Sequence, residues 1–289
     1  MDLLNTWQFN LALYYFFVVV YFQFYKLAVK NAKKDGAATI ILQTLAGVSI
    51  LACVPFFTLN FPNSLSVYLL VGSACVFYAI NDRLQTTVRK HLEVSTFSVL
   101  SQLGTVFLLI YGFTVFSEPI VASKIAGAAL ILGANIWLFY KPKVKREVVS
   151  DFKYFLLGAI ALLAFATAVT IDINASKHFN LPIYIAITLL IPALMVSASE
   201  KIRMSTVKEE WSISPKRYYV IAAVAWSLTI LFSLRSFQLG EVSTIAPLQT
   251  IAIILNVMTA FIFQGERKDL TKKLIAAILV MIGVYLTVL

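Results

Sequence analysis

Of 289 residues, 60% are hydrophobic and only 13% charged. An ordinary soluble domain is roughly 25% charged, and a water-soluble fold could not hide the apolar surface this chain carries. The net charge of +10 lies in short loops between apolar blocks, where membrane orientation accounts for it, so nucleic acid is not expected as a partner.

The blocks are about 20 residues long, the length at which a helix crosses a hydrocarbon core about 30 Å thick. Ten spans are predicted, at 7–29, 37–57, 66–88, 94–116, 120–140, 154–174, 181–199, 217–237, 242–263 and 272–289, which gives an all-α integral membrane protein. The first is too long and too aromatic for a cleaved signal peptide and lacks a basic region before it, so it is expected to remain a span. Its Tyr14, Tyr15, Phe16, Phe17, Tyr21, Phe22, Phe24 and Tyr25 surround the helix, so most of them are expected to touch lipid. The third is interrupted by Asn81-Asp82-Arg83 and is kept whole because a span ending at Ile80 would be too short. Cys53 and Cys75 fall within spans and read as small packing residues, with no disulfide or metal site implied. Pro192 and Pro247 are candidate kinks. The longest polar stretch runs from Glu200 to Arg217, so no soluble catalytic domain is expected.

Positive charge predicts orientation. One set of alternate loops holds Lys26, Lys30, Lys33 and Lys34, then Arg83, Arg89 and Lys90, then Lys141, Lys143, Lys145, Arg146 and Lys153. Lys201, Arg203, Lys208, Lys216 and Arg217 follow, then Arg267, Lys268, Lys272 and Lys273. These are 21 of the 24 basic residues, leaving Lys124, Lys177 and Arg235 for the other side. The positive-inside rule puts the 21 in the cytoplasm and both termini outside.

The segment Glu93–Glu118 recurs without a gap as Glu241–Glu266, with 7 identities in 26 positions, starting at spans four and nine. Duplication is the better reading than coincidence. The organisation expected is a first five-helix repeat at 1–140, a basic cytoplasmic linker at 141–153 and a second repeat at 154–289. Five is odd, so the second repeat enters the membrane from the opposite side. Inverted repeats of this kind suit secondary transporters, because exchanging the conformations of two similar halves around a midplane site gives alternating access.

Phe232 to Glu241, Ala246-Pro247-Leu248, Gln264-Gly265-Glu266-Arg267 and Gly283-Val284-Tyr285 give the chain a resemblance to the drug/metabolite transporter (DMT) superfamily, in its ten-helix EamA-type branch. The first half repeats the pattern more loosely, with Ser117-Glu118-Pro119 at the turn and Gly133 in the closing helix. The resemblance implies a central cavity lined by helices one, three, four, six, eight and nine. Family members are usually drawn with both termini in the cytoplasm, and the basic residues here predict the reverse.

An ionisable side chain at bilayer depth costs roughly 2.5–3.5 kcal/mol, so each needs a partner, a water-filled cavity or a function. In the third span Tyr78, Asp82 and Gln85 share one helix face. Asp82 is a candidate cation ligand and proton carrier there; the competing reading places it near the interface or pairs it with another helix. Asp172, near the outer end of the sixth span, is the second proton-coupling candidate, and snorkelling also accounts for it. Arg235 could hold a substrate carboxylate or phosphate through its planar fork, or anchor the end of its helix. Ser95, Ser98, Gln102 and Thr105 form one polar stripe, and Gln249, Asn256 and Thr259 mark another. The two are expected to face each other across the cavity; the competing reading is interhelical hydrogen bonding, worth about 0.6 kcal/mol on average. Trp226 is an aromatic wall whose N–H needs a partner. Tyr78, Asp82, Gln102, Trp226, Arg235, Gln249 and Asn256 are thus the candidate substrate contacts, and Glu118 and Glu266 read as structural turn residues.

The expected function is secondary-active or exchange transport of a small organic metabolite, an amino-acid-like zwitterion among the candidates, with export the expected direction. A facilitative channel and a structural membrane subunit are the alternatives, and an intramembrane enzyme is a third. No His-Glu-x-x-His or Gly-x-Ser-x-Gly motif and no nucleotide loop occurs, so an enzyme is not expected, nor a cofactor. Coupling would be to protons or to a counter-substrate. The expected setting is a bacterial plasma membrane, with the lipid bilayer as partner and the chain a monomer or homodimer.

Overall fold

The computed structural model describes residues 6–115, 120–139, 145–240, 245 and 248–289, and no strand occurs among them. The elements are α1 (Trp7–Val29), α2 (Asp35–Ile50, prolonged as a 3-10 helix over Leu51–Phe56), α3 (Leu65–His91), α4 (Val94–Leu100), α5 (Leu103–Thr114) and α6 (Ala122–Phe139). They continue as α7 (Lys145–Ala175), α8 (Leu181–Ser199), α9 (Met204–Ile213), α10 (Lys216–Leu239), α11 (Ile251–Gln264) and α12 (Leu270–Val288). Eight helical stretches are long and apolar enough to cross a membrane: α1, α2 with its extension, α3, Val94–Thr114, Phe152–Asp172 within α7, α8, α10 and Leu270–Thr287. Ala122–Leu138 and α11 are shorter apolar helices.

Helix α3 runs unbroken through Asn81-Asp82-Arg83. The fourth predicted span is broken at Ser101–Gln102: the Ser101 hydroxyl donates to the Ser98 carbonyl (2.7 Å). The amides of Gln102 and Gly104 reach back three residues, to Val99 and Ser101. A serine that bonds the preceding turn competes with the regular helical ladder. Residues 145–153, expected as linker, are the first turns of α7. The polar stretch after α8 holds α9, whose Val207 and Trp211 pack on the core. Buried Glu210 of α9 accepts from the backbone amides of Lys33 (3.2 Å) and Lys34 (3.1 Å).

Helix α1 is central, packing on α10, α11, α3 and α4. This corrects the expectation that most of its aromatic rings touch lipid: Tyr21, Phe22 and Tyr25 are buried, and Phe16 is the outward one, 62% exposed. Helices α6 and α12 cross at Gly127 and Gly283. A Cβ added to either would lie 2.4–2.8 Å from the other's carbonyl oxygen, so the backbones touch, as small residues permit between apolar helices.

Basic side chains gather at one end. Lys26 donates to the carbonyls of Lys90 (2.8 Å) and Leu92 (2.7 Å), and Lys90 pairs with Asp35 at 2.9 Å. Arg83 pairs with Glu200, and Lys273 pairs with Glu93 and lies 3.9 Å from Glu266. The loops after α1, α3, α8 and α11 therefore meet there. Lys141 and Lys143 lie outside the described residues. At the other end the Asn180 side chain caps α8 through the Ile183 amide (3.2 Å) and donates to the carbonyls of Phe57 and Thr58 (3.1 and 3.0 Å).

Candidate functional site

The inner face of α3 carries Asn81, Asp82, Gln85, Thr86 and Arg89, all buried, at the spacing that lines one side of a helix. Their side chains form a ladder. Asn81 Nδ2 donates to Asp82 Oδ1 (2.9 Å), Gln85 Nε2 to Asn81 Oδ1 (3.4 Å), and Arg89 Nε to Gln85 Oε1 (3.0 Å). Helix α1 faces it: the Tyr21 hydroxyl donates to Gln85 Oε1 (3.3 Å), and the Tyr25 and Thr86 hydroxyls are 2.7 Å apart. Trp226 of α10 stacks on the Tyr21 ring, centroids 4.5 Å apart at 18°. Its indole Nε1 is buried with no hydrogen-bond partner.

Arg89 stands out in this seam. It is 5% exposed, and the rings of Tyr21, Phe22, Tyr25 and Phe97 lie 4.1–4.7 Å from its Cζ. Cation–π contacts contribute about 0.5–2 kcal/mol each against a desolvation cost of several kcal/mol for a buried ion. The rings thus offset burial while accepting none of its N–H groups in plane. Sequence reasoning counted Arg89 as a loop charge and missed it. The polar face Asp82, Gln85, Thr86, Arg89, continuing to the end of a helix kept whole, is the signal that could have found it.

The other expected site residues lie apart. Asp172 of α7 accepts from the hydroxyls of Tyr78 on α3 and Tyr184 on α8. It is buried, so it does not snorkel; two phenols supply what headgroup water would. Tyr78 therefore serves Asp172, although the spacing had grouped it with Asp82 and Gln85. The two polar stripes also fail to meet, because each is satisfied elsewhere. Glu266 accepts from the amides of Val94 (2.7 Å) and Ser95 (3.1 Å) and from the Ser95 hydroxyl, capping the start of α4, where a carboxylate is favoured. Gln102 reaches Ser101 (3.4 Å), and Gln249 donates to Ser233 (3.1 Å).

Asn256 is buried with Oδ1 unpartnered. Beside it Gln23 of α1, a residue the sequence reading passed over, donates to the Asn256 carbonyl (3.3 Å) and to Thr259 (2.9 Å). Arg235 contacts Gln238 (3.2 Å), with its Cζ 6.0 Å from the centre of the Phe57 ring. Phe57 is one of the Asn180 contacts, so Arg235 sits at the far end from the basic loops. Glu118 and Pro247 lie outside the described residues. At the basic end a cavity of about 420 Å³ is lined by Lys33, Lys34, Asp35, Arg83, Lys90 and Glu200, among others. The charged pairs there leave it open to water.

No family model matches the chain, and no curated protein matches it. A solved structure described only as "Crystal structure of protein" superposes with a TM-score of 0.57, covering 96% of this chain and 95% of that one, at 13% identity. The two chains share a fold over nearly their full lengths, and at that identity the likeness carries the fold alone.

Proposed function

We propose that the chain is a secondary transporter of the DMT superfamily, EamA-type, built from ten spans in two inverted five-helix repeats, that moves a small organic solute by alternating access. The observation that carries this reading is the pattern of helix pairing. Matched by order in the two halves, α1 corresponds to α7, α2 to α8, α3 to α10, α4 and α5 to the segment ending in α11, and α6 to α12. The packing of α1 on α10 then has its counterpart in α7 on α3, that of α2 on α10 in α8 on α3, and that of α1 on α11 in α7 on α5. The remaining contacts, α2 with α8, α4 with α11 and α6 with α12, join an element to its own counterpart, as a twofold axis requires. In the register that lays Glu93 on Glu241, the break at Ser101–Gln102 falls on Gln249–Thr250, just before α11 begins.

The buried seam between α1, α3 and α10 is the proposed solute path, since spans that only pack in lipid have no need of buried ionisable groups. Asp82 is the proposed proton carrier and Asp172 the second candidate. The basic end faces the cytoplasm of a bacterial cell, both termini lie outside, and export is the direction. The chain performs no catalysis and needs no cofactor.

A thermal-shift screen over metabolites supplies the solute, and counterflow in proteoliposomes tests the mechanism. A carrier gives saturable uptake accelerated by solute on the opposite side. Flux that rises linearly with concentration and ignores the opposite side would establish a channel instead, and no flux of any stabilising solute would leave a structural subunit.

A further inference from the structure

Arg89 has the features of half a binding site. A guanidinium carries five N–H donors, and only Nε is used, by Gln85. No carboxylate pairs with it; the ion pairs of the described residues use Arg83, Lys90 and Lys273 instead. Aromatic rings close around the cation, which fixes its plane and offers no oxygen to its terminal amino groups. The Tyr21 ring touches both Arg89 and Trp226, and the Trp226 indole N–H is also unpaired. Two sets of unused donors thus share one aromatic ring as neighbour. A buried arginine kept for stability would be surrounded by acceptors, because leaving charged donors unmet destabilises the fold.

We propose, building on the transporter reading, that the transported solute carries a carboxylate and that Arg89 receives it through a two-pronged hydrogen bond. The terminal amino groups of Arg89 match the spacing of two carboxylate oxygens. The rings exclude water from the pair, and the indole N–H of Trp226 is free for a further acceptor on the same solute. Lysine keeps the charge but presents it as a point, so it cannot substitute for the fork.

The test is thermal stability of the purified chain in lipid-free detergent, with matched probes: sodium acetate against acetamide, sodium benzoate against benzamide, and sodium L-glutamate against L-glutamine. Sodium phosphate is a further arm. At least one carboxylate should raise Tm in a saturable way while its neutral amide does not. Arg89→Gln should abolish the shift, and Arg89→Lys should weaken apparent affinity by roughly tenfold or more. Without probes, Arg89→Gln and Arg89→Met should melt at or above the unmodified chain, because the unmet charge is gone. The proposal is overturned if Arg89→Met melts well below the unmodified chain, if the variants keep the carboxylate shift, if only phosphate stabilises, or if no carboxylate does. Flux is measured separately. A carboxylate bound through Arg89 but never transported would refute only the transporter reading, and carboxylate transport unchanged by Arg89→Gln would refute only this one.

Discussion

Two buried carboxylates sit on opposite flanks of α3 in different company. Asp172 accepts from two phenol hydroxyls on separate helices, whereas the one side chain that donates to Asp82 is its neighbour Asn81. A group that must gain and lose a proton during a cycle is better placed where few donors hold it in one state. Asp82→Asn is therefore expected to abolish accumulation of solute driven by a pH gradient in proteoliposomes while preserving exchange. If the Asn variant still concentrates solute, Asp82 is not the carrier. Asp172→Asn replaces an acceptor pair by a single carbonyl, leaving one buried phenol short of an acceptor. It is expected to cost about 1–3 kcal/mol, read as a fall in Tm, with exchange intact; loss of exchange in a well-folded variant would move the coupling role to Asp172. Both aspartates and Trp226 were legible in the sequence, because charge and indole inside an apolar run demand an explanation. Arg89 was not, because a basic residue near a helix end already has one, namely orientation.

The lengths of most elements followed from hydropathy, since the bilayer sets them and apolar runs record it. What hydropathy cannot register is competition for backbone hydrogen bonds. Ser101 interrupts the fourth span with one hydroxyl, and residues 101 and 102 differ little in polarity from their neighbours. Helix α9 was invisible for a related reason: its polar surface masks Val207 and Trp211, which pack inward. Partners across the interior were also illegible. The stripes on α4 and α11 are regular in sequence, yet Glu266 and Gln23 satisfy them. The crossing of α6 and α12 gives a sharp test. Gly283→Ala would place a methyl 2.8 Å from the Gly127 carbonyl oxygen, and rigid backbone contact of this kind should cost about 1–3 kcal/mol. Gly133→Ala, with nothing within 4 Å of the added carbon, should be neutral or slightly stabilising. Equal Tm values for the two variants would show that the helices separate freely at Gly283.

For the whole molecule, the duplication around Glu93 and Glu241 led to the halves, and alternating basic loops led to the two ends. Neither signal depends on exact span boundaries, which is why both survived errors at α4, α7 and α9. Orientation can be read by maleimide labelling of intact cells, in a background with Cys53→Ser and Cys75→Ser. A cysteine at Asn60 should label from outside, and one at Lys208 should be protected until the membrane is opened; the reverse pattern would invert the topology.

The grip of Glu210 on the α1–α2 turn has a bearing on how the polypeptide could be assembled. Lys201, exposed and in the left-handed backbone region at φ 51°, lies on the short path from α8 to α9. Beyond it α9 is already fastened to the first half by the two amides that Glu210 receives, and α10 packs along α1 and α2. The peptide bond after Lys201 is thus dispensable for holding the pieces together. Fragments 1–201 and 202–289 produced in the same cell should copurify as one folded particle, and Glu210→Ala should weaken their association. If the intact-Glu210 fragments fail to associate, continuity of the backbone, rather than this cross-connection, is what keeps the last helices in register.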